Sequence, residues 1–146
     1  MNKIFLALCV ALTASFAQGQ SILENARIIS KEKNKLILLN FSGSDWCIPC
    51  IKMRKEIFGN ENFKQMSDSL LILVNADFPR NKKNQLDINT RKQNEALADK
   101  YNPGGAFPYT LLMDTDGKVI KTWDGFPKED AATFTGEIRM ICNNQK

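Results

Sequence analysis

The feature that most constrains this chain is the apolar run Leu36-Ile37-Leu38-Leu39, which leads through Ser42-Gly43-Ser44-Asp45 into Trp46-Cys47-Ile48-Pro49-Cys50. Lys35 to Phe41 is short and continuously apolar at its centre, which reads as a strand buried inside a sheet. Ser42 to Asp45 reads as a turn. A helix is then predicted from near Cys47 to about Phe58, with Cys50, Met53 and Ile57 on one face. This order puts two cysteines three residues apart on a first helical turn, where the backbone is loose enough to bring their sulfurs within bonding distance.

Position at a helix start carries chemistry. Cys47 sits among unpaired N–H groups at the positive end of the helix dipole. Both favour thiolate over thiol, so its pKa should fall below the ordinary value. Cys47 is therefore the candidate nucleophile of a thiol–disulfide exchange, and Cys50, one turn in, the resolving thiol. Pro49 in the first turn loses no helical hydrogen bond and stiffens the loop. Trp46 offers a flat apolar surface beside the reactive sulfur. Two blander readings are a metal clip and an inert disulfide. Tetrahedral zinc needs four ligands, whereas the chain has no His and few Cys. An inert disulfide across so short a loop would stabilise little.

Met1-Asn2-Lys3, the apolar run Ile4 to Leu12, and the small residues of Thr13-Ala14-Ser15-Phe16-Ala17 have the layout of a secretory signal peptide cut after Ala17. The apolar run is too short to span a bilayer. Cys9 lies inside it, after a Leu8 too bulky for a usual lipoprotein cleavage site. Residues 1–17 are thus expected to be a leader and 18–146 one domain, exported to the periplasm or beyond the cell, where disulfides persist. No later segment is long and apolar enough to cross a membrane. A net charge of +4 on 146 residues makes no case for nucleic acid. Cys47, Cys50 and Cys142 then remain, an odd number that fits one pair and one further thiol. Cys142 falls on the apolar face of the last helix and reads as a buried side chain, with a third redox thiol as the alternative.

Ser21 and Glu24 read as a capping box for a helix over 21 to about 33, with Ile22, Ala26 and Ile29 inward. Glu61 to Ser67 reads as a short added helix, and Leu70 to Ala76 as a second buried strand. A polar loop, Asp77 to Asn89, precedes a helix over Thr90 to Tyr101 with Ala96, Leu97 and Tyr101 inward. Tyr109 to Met113 and Lys118 to Trp123 read as strands joined by a hairpin at Asp114-Thr115-Asp116-Gly117. That turn starts like a calcium loop but lacks the closing Glu. Pro127 is placed at the start of a last helix carrying Phe134, Ile138, Ile141 and Cys142 on one face. A βαβ unit followed by a hairpin and a helix predicts an α/β fold, a central mixed sheet with helices on both faces.

With these residues in place the chain resembles the thioredoxin superfamily from about Lys35 to Ile141. The likeness rests on the strand into Trp46–Cys50, on Ala106-Phe107-Pro108-Tyr109-Thr110 as the family's cis-proline strand, and on Asp116–Ile120 and Asp124-Gly125-Phe126 as its last hairpin and turn. Ser42–Cys47 further resembles exported bacterial members and the periplasmic C-terminal domain of the membrane thiol–disulfide transporter. The resemblance implies a thioredoxin fold and a cis bond before Pro108. It also implies that the backbone of Phe107 holds an extended substrate beside Cys47 and Cys50, with Trp46 contributing. It implies protein-disulfide reduction without metal or organic cofactor, on disulfide-containing proteins, with a membrane or exported thiol as electron donor and a monomeric protein. Oxidase or isomerase activity stays open, as do a non-catalytic peptide-binding module and a redox sensor.

Two departures stand out. Asn40 occupies the place of the family's buried Asp, and an amide cannot take up a proton. Arg54 stands where the transporter domain has an acidic residue one turn past its second Cys. The loop from Phe78 to Arg91 is also long and basic, with Arg80, Lys82, Lys83, Arg91 and Lys92 in or beside it. It reads as a solvated loop or as a docking surface for an acidic partner.

Overall fold

A computed structural model describes residues 21–145; the expected leader and Cys9 lie outside the described residues. The elements are α1 (Ile22–Lys33), β1 (Leu36–Ser42), α2 (Ile48–Met53), which runs on as a π-helical turn (Arg54–Phe58), α3 (Glu61–Leu70), β2 (Leu71–Asp77), α4 (Ile88–Tyr101), β3 (Tyr109–Met113), β4 (Val119–Asp124) and α5 (Ala131–Asn144). The four strands form one mixed sheet in the order β2-β1-β3-β4. β1 pairs parallel with β2 and antiparallel with β3, and β3 pairs antiparallel with β4.

β1 is buried along its whole length because it is central in the sheet and covered on both faces. Leu36 and Leu38 point to one side, into a core with Met53, Ile57, Phe63, Met66, Phe134 and Ile138 from α2, the π turn, α3 and α5. Ile37, Leu39 and Phe41 point to the other, against Leu23, Ala26 and Leu97 of α1 and α4. A continuous apolar run with helices above and below is what a central strand requires. Between β3 and β4, Asp114 Oδ1 accepts from the N–H groups of Asp116 and Lys118, and Gly117 supplies φ +81°. That positive φ suits glycine because it has no Cβ to clash.

Several local expectations shift. Ser21 caps α1 by accepting from Glu24 N, while the Glu24 carboxylate turns to Arg27 at 2.8 Å. The buried face of α1 is Leu23, Ala26 and Ser30, not Ile22, Ala26 and Ile29. Ser30 is drawn inward because its hydroxyl donates to Lys35 O, tying the helix end to β1. β2 is not buried throughout: it is an edge strand, and Leu73 is 55 % exposed. α4 starts at Ile88 because Asp87 caps it, and it turns Asn94 and Leu97 inward while Ala96 is exposed. Buried Asn94 is satisfied by donating to Asp77 O at 2.9 Å. α5 begins after Asp130, whose carboxylate accepts from Thr133 N, rather than at Pro127. A side-chain cap outweighs a proline that merely tolerates the first turn.

Phe134 is 1 % exposed and packs edge-on against Trp123 with ring centroids 5.2 Å apart. Phe134→Ala should lower the unfolding free energy by about 3–5 kcal/mol, read from urea denaturation.

Candidate active site

The site forms where β1 ends. The turn after Ser42 brings Trp46 back over Gly43, with Cys47 N donating to Gly43 O at 2.9 Å. A Cβ on Gly43 would fall 2.4 Å from the indole ring, so only glycine fits under Trp46. Cys47 is the N-cap of α2 and Pro49 lies in its first turn. Cys47 and Cys50 are joined as a disulfide, with Cα atoms 5.2 Å apart. Cys47 Sγ also accepts a hydrogen bond from Cys50 N at 3.3 Å. The sulfur thus occupies the position in which a capping oxygen normally receives a helix-start N–H. On reduction the same N–H and the helix dipole would stabilise negative charge on Cys47.

Both cysteines are nearly covered, Cys47 at 5 % and Cys50 at 3 % exposure. They face different spaces. Cys47 lines an open groove of about 440 Å³ with Trp46, Ile48, Pro49, Gly105 and Phe107. The Phe107–Pro108 peptide bond is cis, and Pro108 O accepts from Gly125 N at 2.9 Å. Trp46 meets Phe107 edge-on with centroids 5.5 Å apart, and Phe78 meets Phe107 at 5.6 Å. Trp46, Phe107 and the cysteine pair, expected from sequence to lie together, are brought to one place.

Cys50 lines a separate cavity of about 250 Å³ with Leu38, Asn40, Ser42, Ser44, Arg54, Phe58, Leu73, Val74 and Asn75. Asn40 is fixed there from two sides. Its Oδ1 accepts from Thr110 Oγ1 at 2.9 Å, and its Nδ2 donates to Asn75 Oδ1 at 3.1 Å. Arg54 is exposed but reaches the same cavity, one turn past Cys50. Cys142 is buried in the core on α5 and lines a pocket with Leu36, Asp114 and Thr115, at the opposite end of β1. The structure does not bring it to the cysteine pair.

Sequence reasoning missed how the turn is held. Asp77, at the end of β2, accepts from Ser44 N at 2.9 Å and from Ser44 Oγ at 2.5 Å. Asp45 accepts from Arg80 N, Asn81 N and Asn84 Nδ2, each at 2.9 Å. Trp46 Nε1 donates to Phe78 O at 2.7 Å. Acidic residues flanking a turn were the available signal, but their partners lie more than thirty positions away in sequence. The loop after β2 is therefore fastened to the cysteine turn.

Fold and site together define a thioredoxin-like protein. Residues 23–138 match the thioredoxin-like domain family, and the chain belongs to it. Among its relatives, the disulfide bond reductase DsbH of Chlamydia pneumoniae is 34 % identical over 110 residues, which are 75 % of this chain and 64 % of that protein. The thioredoxin-related protein DsbJ of the same organism is 36 % identical over 115 residues, 79 % of this chain and 32 % of that one. The match therefore spans less than two thirds of either curated relative. A solved structure of DsbH oxidoreductase superposes with a TM-score of 0.73 at 32 % identity, covering 85 % of this chain and 83 % of that one. The oxidised C-terminal domain of Neisseria meningitidis DsbD superposes at 0.51 with 20 % identity, over 80 % of this chain and 89 % of that one, a likeness of fold alone.

Two outcomes follow. Thr110 is fully buried, so Thr110→Val leaves Asn40 Oδ1 without its donor. Stability should drop by about 1–3 kcal/mol in urea unfolding. The N–H of Arg80, then the Asn84 amide and the N–H of Asn81, hold the Asp45 carboxyl below its ordinary 3.8. A depressed folded pKa means that its support for the loop is complete above that ordinary value and fades as pH falls through the lower folded one. In an NMR titration, the Asp45 carboxyl carbon and the Arg80 and Asn81 amides should move together, with a midpoint below 3.8.

Proposed function

We propose that this chain is an exported thiol–disulfide oxidoreductase that reduces protein disulfides. One observation carries the reading: a Cys47–Cys50 disulfide at a helix start, with Cys47 Sγ in the capping position. The likeness to a disulfide bond reductase supports both the chemistry and its direction. Among the described residues no helix is long and apolar enough to cross a membrane. The leader-like residues 1–17 support export to the periplasm or beyond, with 18–146 as the working domain.

The reaction uses only the chain's own sulfurs. In the reduced protein, Cys47 thiolate attacks one sulfur of a substrate disulfide. The S–S bond breaks, one substrate thiolate leaves, and a mixed disulfide links Cys47 to the substrate. Cys50, deprotonated, then attacks Cys47 Sγ. The second substrate thiolate departs, and the internal disulfide forms. Two electrons have passed to the substrate, and an exported or membrane-borne thiol donor returns them. Trp46 and Phe107 wall the groove in which an extended substrate segment lies against Cys47, and the cis bond to Pro108 sets the backbone of Phe107 beside it. The protein acts as a monomer.

Insulin reduction by dithiothreitol tests the reading. Wild type should accelerate precipitation of the insulin chains, and Cys47→Ser should abolish the acceleration. Cys50→Ser should accumulate a mixed disulfide with substrate, visible by mass on non-reducing separation. Equal turnover by wild type and Cys47→Ser would leave a peptide-binding module. A reduction potential close to that of thioredoxin, about −270 mV, fits a reductant, and one near −120 mV reverses the direction.

A further inference from the structure

The loop after β2 is more than a connection. Phe78 N donates to Ser42 O at 2.8 Å and Phe78 O receives Trp46 Nε1, while Asp45 collects the donors of Arg80, Asn81 and Asn84. These bonds fix Arg80 over the site. Its guanidinium carbon stands 3.6 Å from the centroid of the Trp46 ring, and Trp46 is a wall of the Cys47 groove. Among the described residues Arg80 forms no ion pair, and neither do Lys82 and Lys83, which are exposed in the short 3-10 turn that follows. Arg91, by contrast, stands 3.8 Å from Glu95, and Lys92 lines a pocket with α1.

Resting on the oxidoreductase reading, we propose that Arg80, with Lys82 and Lys83, selects disulfide substrates that carry an acidic side chain next to the attacked cystine. Asp45 accepts from backbone and amide donors and forms no ion pair with the guanidinium, whose N–H donors stay open to a substrate carboxylate. In the strand order the basic loop leaves β2 on one side of the site, and Asp124 closes β4 on the other. A substrate crossing the groove therefore meets these cations at the β2 end. A guanidinium already stacked on an indole is planar and held in place. It can receive a carboxylate through two parallel N–H donors with little further loss of freedom. A freely solvated surface lysine has neither advantage. Charge complementarity of this kind acts on encounter and on substrate choice.

Three short disulfide peptides, identical except for Glu, Gln or Lys flanking the cystine, test this with wild type and dithiothreitol at low salt. The acidic peptide should exceed the basic one in kcat/KM by about tenfold, carried mainly by KM. That ratio should collapse toward one in about 0.5 M NaCl, where the screening length is short. It should fall in Arg80→Gln and further in Arg80→Gln/Lys82→Gln/Lys83→Gln. The bonds to Asp45 from residues 80 and 81 use backbone N–H groups, so these variants keep them. Arg80→Lys keeps the charge but not the fork and should be intermediate. Equal rates for acidic and basic peptides with wild type, or a ratio unchanged in the triple variant, overturn the proposal and leave the exchange chemistry standing. No turnover of any peptide, the neutral one included, overturns the oxidoreductase reading itself.

Discussion

Every part of the site is positioned from β1. This strand is hydrogen-bonded on both edges and packed on both faces, so none of its residues can shift without breaking ladder bonds or opening a core. Its last residues set the start of the cysteine turn. Ser42 O receives Phe78 N, and Gly43 O receives Cys47 N. Asn40, two positions upstream, faces the cavity behind Cys50 and is bonded to both neighbouring strands. Interiors are close-packed and transmit strain rather than absorb it. A rigid strand therefore gives the two sulfurs a fixed frame in which a bond forms and breaks with little movement elsewhere.

The parts legible in the sequence are those whose cause is local. β1 shows as an apolar run, the Asp114–Gly117 hairpin as turn chemistry, and the cysteine pair as a spacing. Ser21 shows as a cap because its partner is three residues away. The parts not legible depend on distant contacts. That β2 is an edge strand follows from strand order, which its own apolar residues do not encode. Asn94 is inward because it bonds a carbonyl seventeen residues back, and no periodicity rule places a buried Asn there. The π turn over Arg54–Phe58 carries no sequence signal at all; turns of this kind occur often at functional sites. Asp45 and Asp77 read as ordinary turn and loop residues because the donors they serve lie more than thirty positions away.

Where the family resemblance implies a buried acid this chain has Asn40, and under the proposed reaction that changes how Cys50 can lose its proton. A carboxylate in that place could accept the proton directly; an amide cannot. Both polar atoms of the Asn40 amide are moreover partnered, Oδ1 accepting from Thr110 and Nδ2 donating to Asn75. What remains around Cys50 is a cavity walled mainly by Leu38, Phe58, Leu73 and Val74, with Asn40, Ser42, Ser44, Asn75 and Arg54 as its polar points. Each water that enters needs several hydrogen-bonding partners, and these side chains are the ones the cavity offers. Under the proposed reaction the proton then leaves to solvent through this opening. The exposed Arg54 adds a positive charge on the same side, which favours the thiolate, weakly because solvent screens it.

The two spaces divide the labour of the site. The groove on the Cys47 side is walled by aromatic rings and rimmed by the basic loop, so it suits a polypeptide. The cavity on the Cys50 side is smaller and lies between the sheet and the helix that begins at Ile48. A disulfide joining the two sulfurs bridges these environments. Thiol exchange needs that asymmetry: one sulfur must meet a bulky partner while the other stays shielded from it, or the mixed disulfide would be resolved by whichever thiol arrived first. Under the proposed reaction, Cys47 acts first because its sulfur holds the capping position and lines the groove, and Cys50 follows because it faces the inner cavity.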